Sequence, residues 1–197
     1  MVELKRLDID NMKTQLDVSN LLKIGKIQNE LDFERALIAD RKLRVLSKED
    51  VRYKVIRKKL RDLIEDYENK NWSSNSRITD KKIRENNLAE LIAEKERQFL
   101  QNRKLLIRKK LKNLNITQQD LGAILGHKSK SHMSELMNGV SPFSLKDLVI
   151  INRLLKIDLS DLVPTFLPQS ERVKIKTSIQ KLDNPKLKLS KDDFAFV

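Results

Sequence analysis

The chain has 197 residues, enough for one good core or two small ones, and 35% of them are charged against 5% aromatic. The expected core is therefore leucine and isoleucine beneath a densely charged surface, and Lys and Arg outnumber Asp and Glu 41 to 28, a formal charge of +13 that favours a polyanionic partner without identifying one. With no cysteine and two histidines, disulfides, thiolate metal sites and cysteine nucleophiles are excluded, and the histidines cannot build a metal site alone.

The N-terminal run MVELKRLDIDNMKTQLD lacks the unbroken apolar stretch of a signal peptide, and no segment approaches the roughly 18 apolar residues needed to span a bilayer, so a cytoplasmic location without membrane contact is expected. After Gly25, residues 27–46 read as one helix with Ile27, Leu31, Leu37, Ile38 and Val45 near one side. Residues 47–50, SKED, resemble a capping box for a second helix carrying Val51, Val55, Ile56, Leu60, Leu63, Ile64 and Tyr67. The two are expected to pack as an antiparallel hairpin. The stretch NKNWSSNSR, 69–77, has loop composition, with Trp72 as a local packing anchor. From Thr79 a third helix runs to about Leu111 with an irregular stripe of Ile83, Leu88, Leu91, Ile92, Phe99, Leu106 and Leu111. It reads as a connecting helix or a dimer seam, and no heptad is sustained.

Residues 105–163 divide into five short helices. The first ends near Asn113. Thr117 caps the second, with Leu121, Ile124 and Leu125 facing inward, and GHKSKSHMSELMNG, 126–139, holds the third. Residues 144–147, SLKD, form a capping box for a fourth carrying Leu148, Ile151 and Leu155, and Asp158 caps a last turn with Leu159 and Leu162. The third helix begins with lysines and serines and turns apolar only at Met133, Leu136 and Met137. That pattern suits a helix anchored at its far end that presents its N-terminus, with free N–H groups and the positive end of the dipole, to an anion. A helix-turn-helix needs a small residue where its helices cross, a residue tolerant of positive φ in the turn and an apolar anchor on the second helix; Gly122, Gly126 and Met133 fill these places.

On these residues ITQQDLGAILG, SKSHMSELMNG and SLKDLVIINRLLKIDLSDL resemble the phage-repressor-type (XRE/Cro-CI) helix-turn-helix family, with one residue more in the turn than is usual there. Adding IQNELDFERALIADRKLRVL and VRYKVIRKKLRDLIEDYENKNW, the chain is similar to HigA-type antitoxins. It departs from them in a longer helix from Thr79 and in NGVSPFS, which lacks a basic pair after Asn-Gly. The resemblance implies an all-α fold: an N-terminal helical region (1–77), a long linker helix (78–102), a five-helix lambda-repressor-like helix-turn-helix domain (103–164) and a C-terminal tail (165–197). It implies an antitoxin that neutralises an mRNA-cleaving toxin and represses its own operon, acting as a homodimer on double-stranded operator DNA. A solitary repressor of phage or mobile-element type is the alternative.

Candidate DNA-binding residues are Thr117, Gln118, Gln119, Lys128, Ser129, Lys130, Ser131, His132, Ser134 and Asn138. The lysines can donate to guanine or to phosphate, and the serines can take either role. Glu135 can accept from cytosine or pair on the helix surface. Arg103, Lys104, Arg108, Lys109, Lys110 and Lys112 form either a phosphate track, with Arg108, Lys109 and Lys112 as its contacts, or an ordinary charged face. His127 and His132, five apart, have the wrong spacing for two metal ligands on one helix face and read as surface residues. Asp32, Glu34, Asp62, Glu65 and Asp66 are expected to be exposed for a basic toxin, on a region energetically separable from the DNA-binding domain. No nucleotide loop, HExxH or nucleophile elbow is present, so no enzyme, catalytic residue, metal or cofactor is expected. In the tail Val173, Ile175 and Ile179 fit a helix or a strand, and Phe194, Phe196 and Val197 can dock on the protein or a partner.

Overall fold

Local signals along the chain settle into nine helices among the described residues, which in this computed structural model are 15–73, 78–164, 169–184 and 186–187. Helix α1 spans Val18–Ile24, α2 Glu30–Leu46, α3 Arg52–Asn71, α4 Asp80–Asn113, α5 Gln118–Leu125, α6 Lys130–Asn138, α7 Leu145–Leu155, α8 Leu159–Leu162 and α9 Gln169–Leu182. The architecture is all-α. Residues 194–197 lie outside the described residues, and the ambiguous stretch around Val173 is helical in α9.

Two apolar cores form. The first collects Val18 and Leu21 of α1, Phe33, Ala36, Ala39 and Leu43 of α2, and Tyr53, Leu60 and Ile64 of α3. The second collects Ile107 and Leu111 of α4, Leu121 and Leu125 of α5, Met133, Leu136 and Met137 of α6, and Leu148, Ile151 and Leu155 of α7. Helix α4, 34 residues and so about 50 Å long, joins the two halves. Its first half packs along α2, burying Ala89, Ile92 and Ala93, and its last turns enter the second core.

Several expectations shift. Helix α1 was not anticipated; Asp17 caps it by accepting from the Asn20 N–H at 3.1 Å. Residues 47–50 form no capping box: Ser47 closes α2 by donating to the Arg44 carbonyl, and at the start of α3 Val51 makes no side-chain cap while Asp50 Oδ1 accepts from the Arg52 N–H at 2.9 Å. The buried stripe of α2 runs through Phe33, Ala36, Ala39, Leu43 and Leu46, while Val45 points outward, because small alanines on the packed face let α3 and α4 approach. Val51 and Val55 are likewise exposed, and so are Ile83, Leu88, Leu91, Ile124 and Leu159. Asp158 makes no side-chain cap bond. Asp32 is tied to Arg35 at 3.2 Å and Glu34 is half-buried, whereas Asp62, Glu65 and Asp66 are exposed.

Contacts tie the N-terminal helices to the C-terminal ones. The Val18 N–H donates to the Val140 carbonyl at 3.2 Å, and the Gln15 amide donates to the Ser141 carbonyl at 3.2 Å. Val140, in the connection between α6 and α7, sits in the first core rather than the second. Arg103 is buried and donates to the Leu162 carbonyl at 3.1 Å and to Gln15 Oε1 at 3.2 Å. It is a structural cross-brace and not a phosphate contact, since its fork is satisfied inside the protein.

Candidate nucleic-acid interface

Helices α5 and α6 meet as a helix pair should when its crossing is built on glycine. Thr117 and Asp120 form the capping box at the start of α5, the Asp120 N–H donating to Thr117 Oγ1 at 3.1 Å and the Thr117 N–H to Asp120 Oδ2 at 2.7 Å. The Thr117 hydroxyl, donating to Asp120 Oδ2 at 2.7 Å, and then the Thr117 N–H hold the Asp120 carboxyl below its ordinary range. Gly122 is buried, and a Cβ there would lie 3.4 Å from the His127 carbonyl oxygen and 3.5 Å from Met133 Cγ. Gly126 ends α5 with φ +86°, the left-handed geometry a glycine adopts without a Cβ penalty. Ser129 then caps α6 by accepting from the His132 N–H at 3.2 Å, and Met133 anchors α6 beneath Gly122. His127 is not a surface residue. Its side chain is 22% exposed, with Nε2 3.2 Å from Asp147 Oδ1 of α7 and its ring edge-on to His132.

The candidate residues fall into two sets. Gln119, Lys128, Ser129 and Lys130 are exposed, with Thr117 beside them and Gln118 half-buried; Thr117 and Ser129 combine exposure with capping. Arg108, Lys109 and Lys112 are also exposed on α4. Lys104, Arg108 and Lys112 are spaced by four and share one helix face.

The second set is Ser131, Ser134 and Asn138, which with Glu135 lie on the side of α6 opposite Met133, Leu136 and Met137. All four are half-buried, and His132 on the flank is partly covered. Lys104 donates to Asn138 Oδ1 at 2.6 Å, and Asn138 donates to the Ser134 carbonyl at 2.8 Å. At the other end, the corner between α2 and α3 reaches Ser131. The Tyr53 hydroxyl donates to the Ser131 carbonyl at 3.1 Å, Arg52 donates to Ser131 Oγ, and Ser131 Oγ donates to Asp50 Oδ2 at 3.2 Å. Tyr53 is 3% exposed; burial first, then the charges of Glu135 and Asp50, push its phenol up to about 12. Hydrogen bonds from Arg52 hold Asp50 down at about 2.

Residues 107–162 match the helix-turn-helix family. The match runs from the last turns of α4 through α8 and covers less than half of the chain. The C-terminal region is thus a helix-turn-helix domain, the arrangement of a DNA-binding protein. No curated protein and no solved structure matches the chain. Among the described residues no group of three or more His, Asp or Glu is placed to hold a metal ion, and no helix is long and apolar enough to cross a membrane.

Sequence reasoning missed the corner residues Asp50, Arg52 and Tyr53. The signal was present: Tyr53, Ile56, Leu60, Leu63, Ile64 and Tyr67 repeat at three and four, and phasing α3 on Tyr53 instead of Val51 brings Tyr53 inward. The pairing of Asp50 and Arg52 with Ser131, some eighty positions on, left no local pattern.

Proposed function

We propose that the protein is a transcriptional regulator that binds double-stranded operator DNA through α5 and α6, and that it is the antitoxin of a toxin–antitoxin pair. The observation that carries the DNA-binding part is the glycine-built crossing, which holds exposed Lys128, Ser129 and Lys130 at the N-terminal end of α6. There the unpaired N–H groups and the lysine charges favour phosphate and the acceptor edge of guanine. Thr117, Gln118 and Gln119, at the start of α5, are assigned to the flanking backbone, and Arg108, Lys109 and Lys112 to phosphates further along.

What supports the antitoxin part is an N-terminal helical region with its own core and exposed Asp62, Glu65 and Asp66 on α3. A carboxylate-bearing surface on a chain of net charge +13 suits a basic, RNA-cleaving partner. A cytoplasmic homodimer is the working form under this reading.

The test is a binding series on the DNA upstream of the gene. Affinity should fall steeply with added salt because phosphate contacts release counterions. Lys130→Ala should narrow the preference for that DNA over random duplex by roughly 1–3 kcal/mol, while Arg108→Ala weakens both alike. A salt-independent affinity would sink the DNA-binding part. Co-expression with the adjacent reading frame, scored for growth, tests the antitoxin part, and a neighbour that is not toxic would leave a solitary repressor.

A further inference from the structure

We propose that the corner between α2 and α3 is an autoinhibitory cover on the recognition helix, so that the conformation described above is the DNA-closed state. The inference rests on the DNA-binding reading of α6. A recognition helix enters a major groove about 12 Å wide with the face turned away from its own domain. In this protein that face, centred on Ser131 and Asn138, is half-buried under Asp50, Arg52 and Tyr53 at one end and Lys104 at the other. Ser131 has both its hydroxyl and its carbonyl engaged by the corner, leaving no free donor aimed at a base.

The chemistry of the cover fits this role. Asp50 places a carboxylate beside the first turn of α6, where the helix favours an anion and where a DNA phosphate would compete. Arg52 is paired with that carboxylate at 2.6 Å and lends the corner a second bond to Ser131. Tyr53 is rooted in the first core, so any movement of the N-terminal helices against the helix-turn-helix domain moves its hydroxyl. Engagement of the N-terminal helices by a partner would then be felt at α6, and the apparent affinity for DNA would follow the fraction of molecules with the corner lifted.

The experiment uses the full chain and a fluorescent random-sequence duplex at low salt, with two engineered states. Arg52→Ala with Tyr53→Phe removes two of the corner's bonds and one positive charge. Simple electrostatics predicts weaker binding from that change, whereas the cover predicts tighter binding, by roughly three- to tenfold. Because the chain has no cysteine, Asp50→Cys with Ser131→Cys supplies the only two thiols. Joining them with a short bifunctional maleimide should lower affinity at least about tenfold relative to the same protein capped by a monofunctional maleimide.

Binding by the Arg52 and Tyr53 variant that is unchanged or weaker than that of the natural chain overturns the cover. So does a linked protein that binds as well as its capped control, or a pair of thiols that will not link. If neither the natural chain nor any variant binds the duplex, the DNA-binding reading itself fails and takes the cover with it, an outcome distinct from the others.

Discussion

Burial and the charges of Arg97, Lys104 and Arg103 hold the Lys42 amine down at about 8, where α2 passes the end of α6; its Nζ would lie 3.4 Å from a Cβ built on Gly139. An unfolded lysine titrates near ~10.4. Between these values the unfolded chain holds a proton that the folded one has lost, so stability rises with pH across the window. The rise is expected to end near pH ~10, where phenols ionise in the unfolded chain while Tyr53 and Tyr67, raised chiefly by burial, remain neutral in the fold. The melting temperature should therefore climb between about pH 8 and pH 10, and Lys42→Met should raise it at pH 7 and remove most of the climb. A Lys42→Met protein that melts lower at neutral pH, or keeps the full slope, would show that this amine is not the destabilising group.

At the scale of elements, α2 and α4 are joined by a pair that hydrophobic patterning hides. Arg35 donates from Nε to Glu96 Oε2 at 2.7 Å and from a second nitrogen to Oε1, with both side chains 7% exposed. Burial pushes the Glu96 carboxyl up while the guanidinium opposes it. Removing one member of a buried pair typically costs about 3–5 kcal/mol, and here the cost falls toward the lower end because Asp32 Oδ1 still accepts from Arg35 at 3.2 Å. Glu96→Ala should destabilise the protein by that order, whereas Arg35→Met with Glu96→Leu should recover most of the loss. Denaturant titration of the three variants gives both numbers. A mild effect of Glu96→Ala alone would mean that Asp32 suffices as the partner of Arg35.

At the scale of the whole molecule, α4 runs from its packing along α2 into the second core. Its buried face carries Ala89, Ile92, Ala93, Glu96, Arg103, Ile107 and Leu111. Losing the N-terminal helices would bare the first part of that face and strip Gln15 from Arg103 and Val18 from Val140. This packing argues against the energetic separability expected from the sequence. Trp72 is the only tryptophan and sits at the end of α3, its indole N–H 3.4 Å from Glu30. Its fluorescence therefore follows the N-terminal helices, while far-UV circular dichroism follows all of them. The two thermal transitions should coincide, as they do for one cooperative unit. Two separated midpoints would show that the cores melt independently.

The helix-turn-helix domain was legible in the sequence because its determinants are local: Thr117 with Asp120 and Ser144 with Asp147 form capping boxes, Gly126 supplies a left-handed turn, and Leu148, Ile151 and Leu155 repeat at helical spacing. Each needs only neighbours within a turn or two of chain. The stripe of α4 looked irregular for an equally physical reason: Glu96 and Arg103 occupy buried positions that a pattern of apolar residues leaves blank, and each is made tolerable by a partner remote in the chain, Arg35 for one and Gln15 with Leu162 for the other. The exposure of Lys128 to solvent and the covering of Ser131 are likewise invisible locally. Both are polar residues at the start of one helix, and only the placement of Asp50, Arg52 and Tyr53 against that helix distinguishes them.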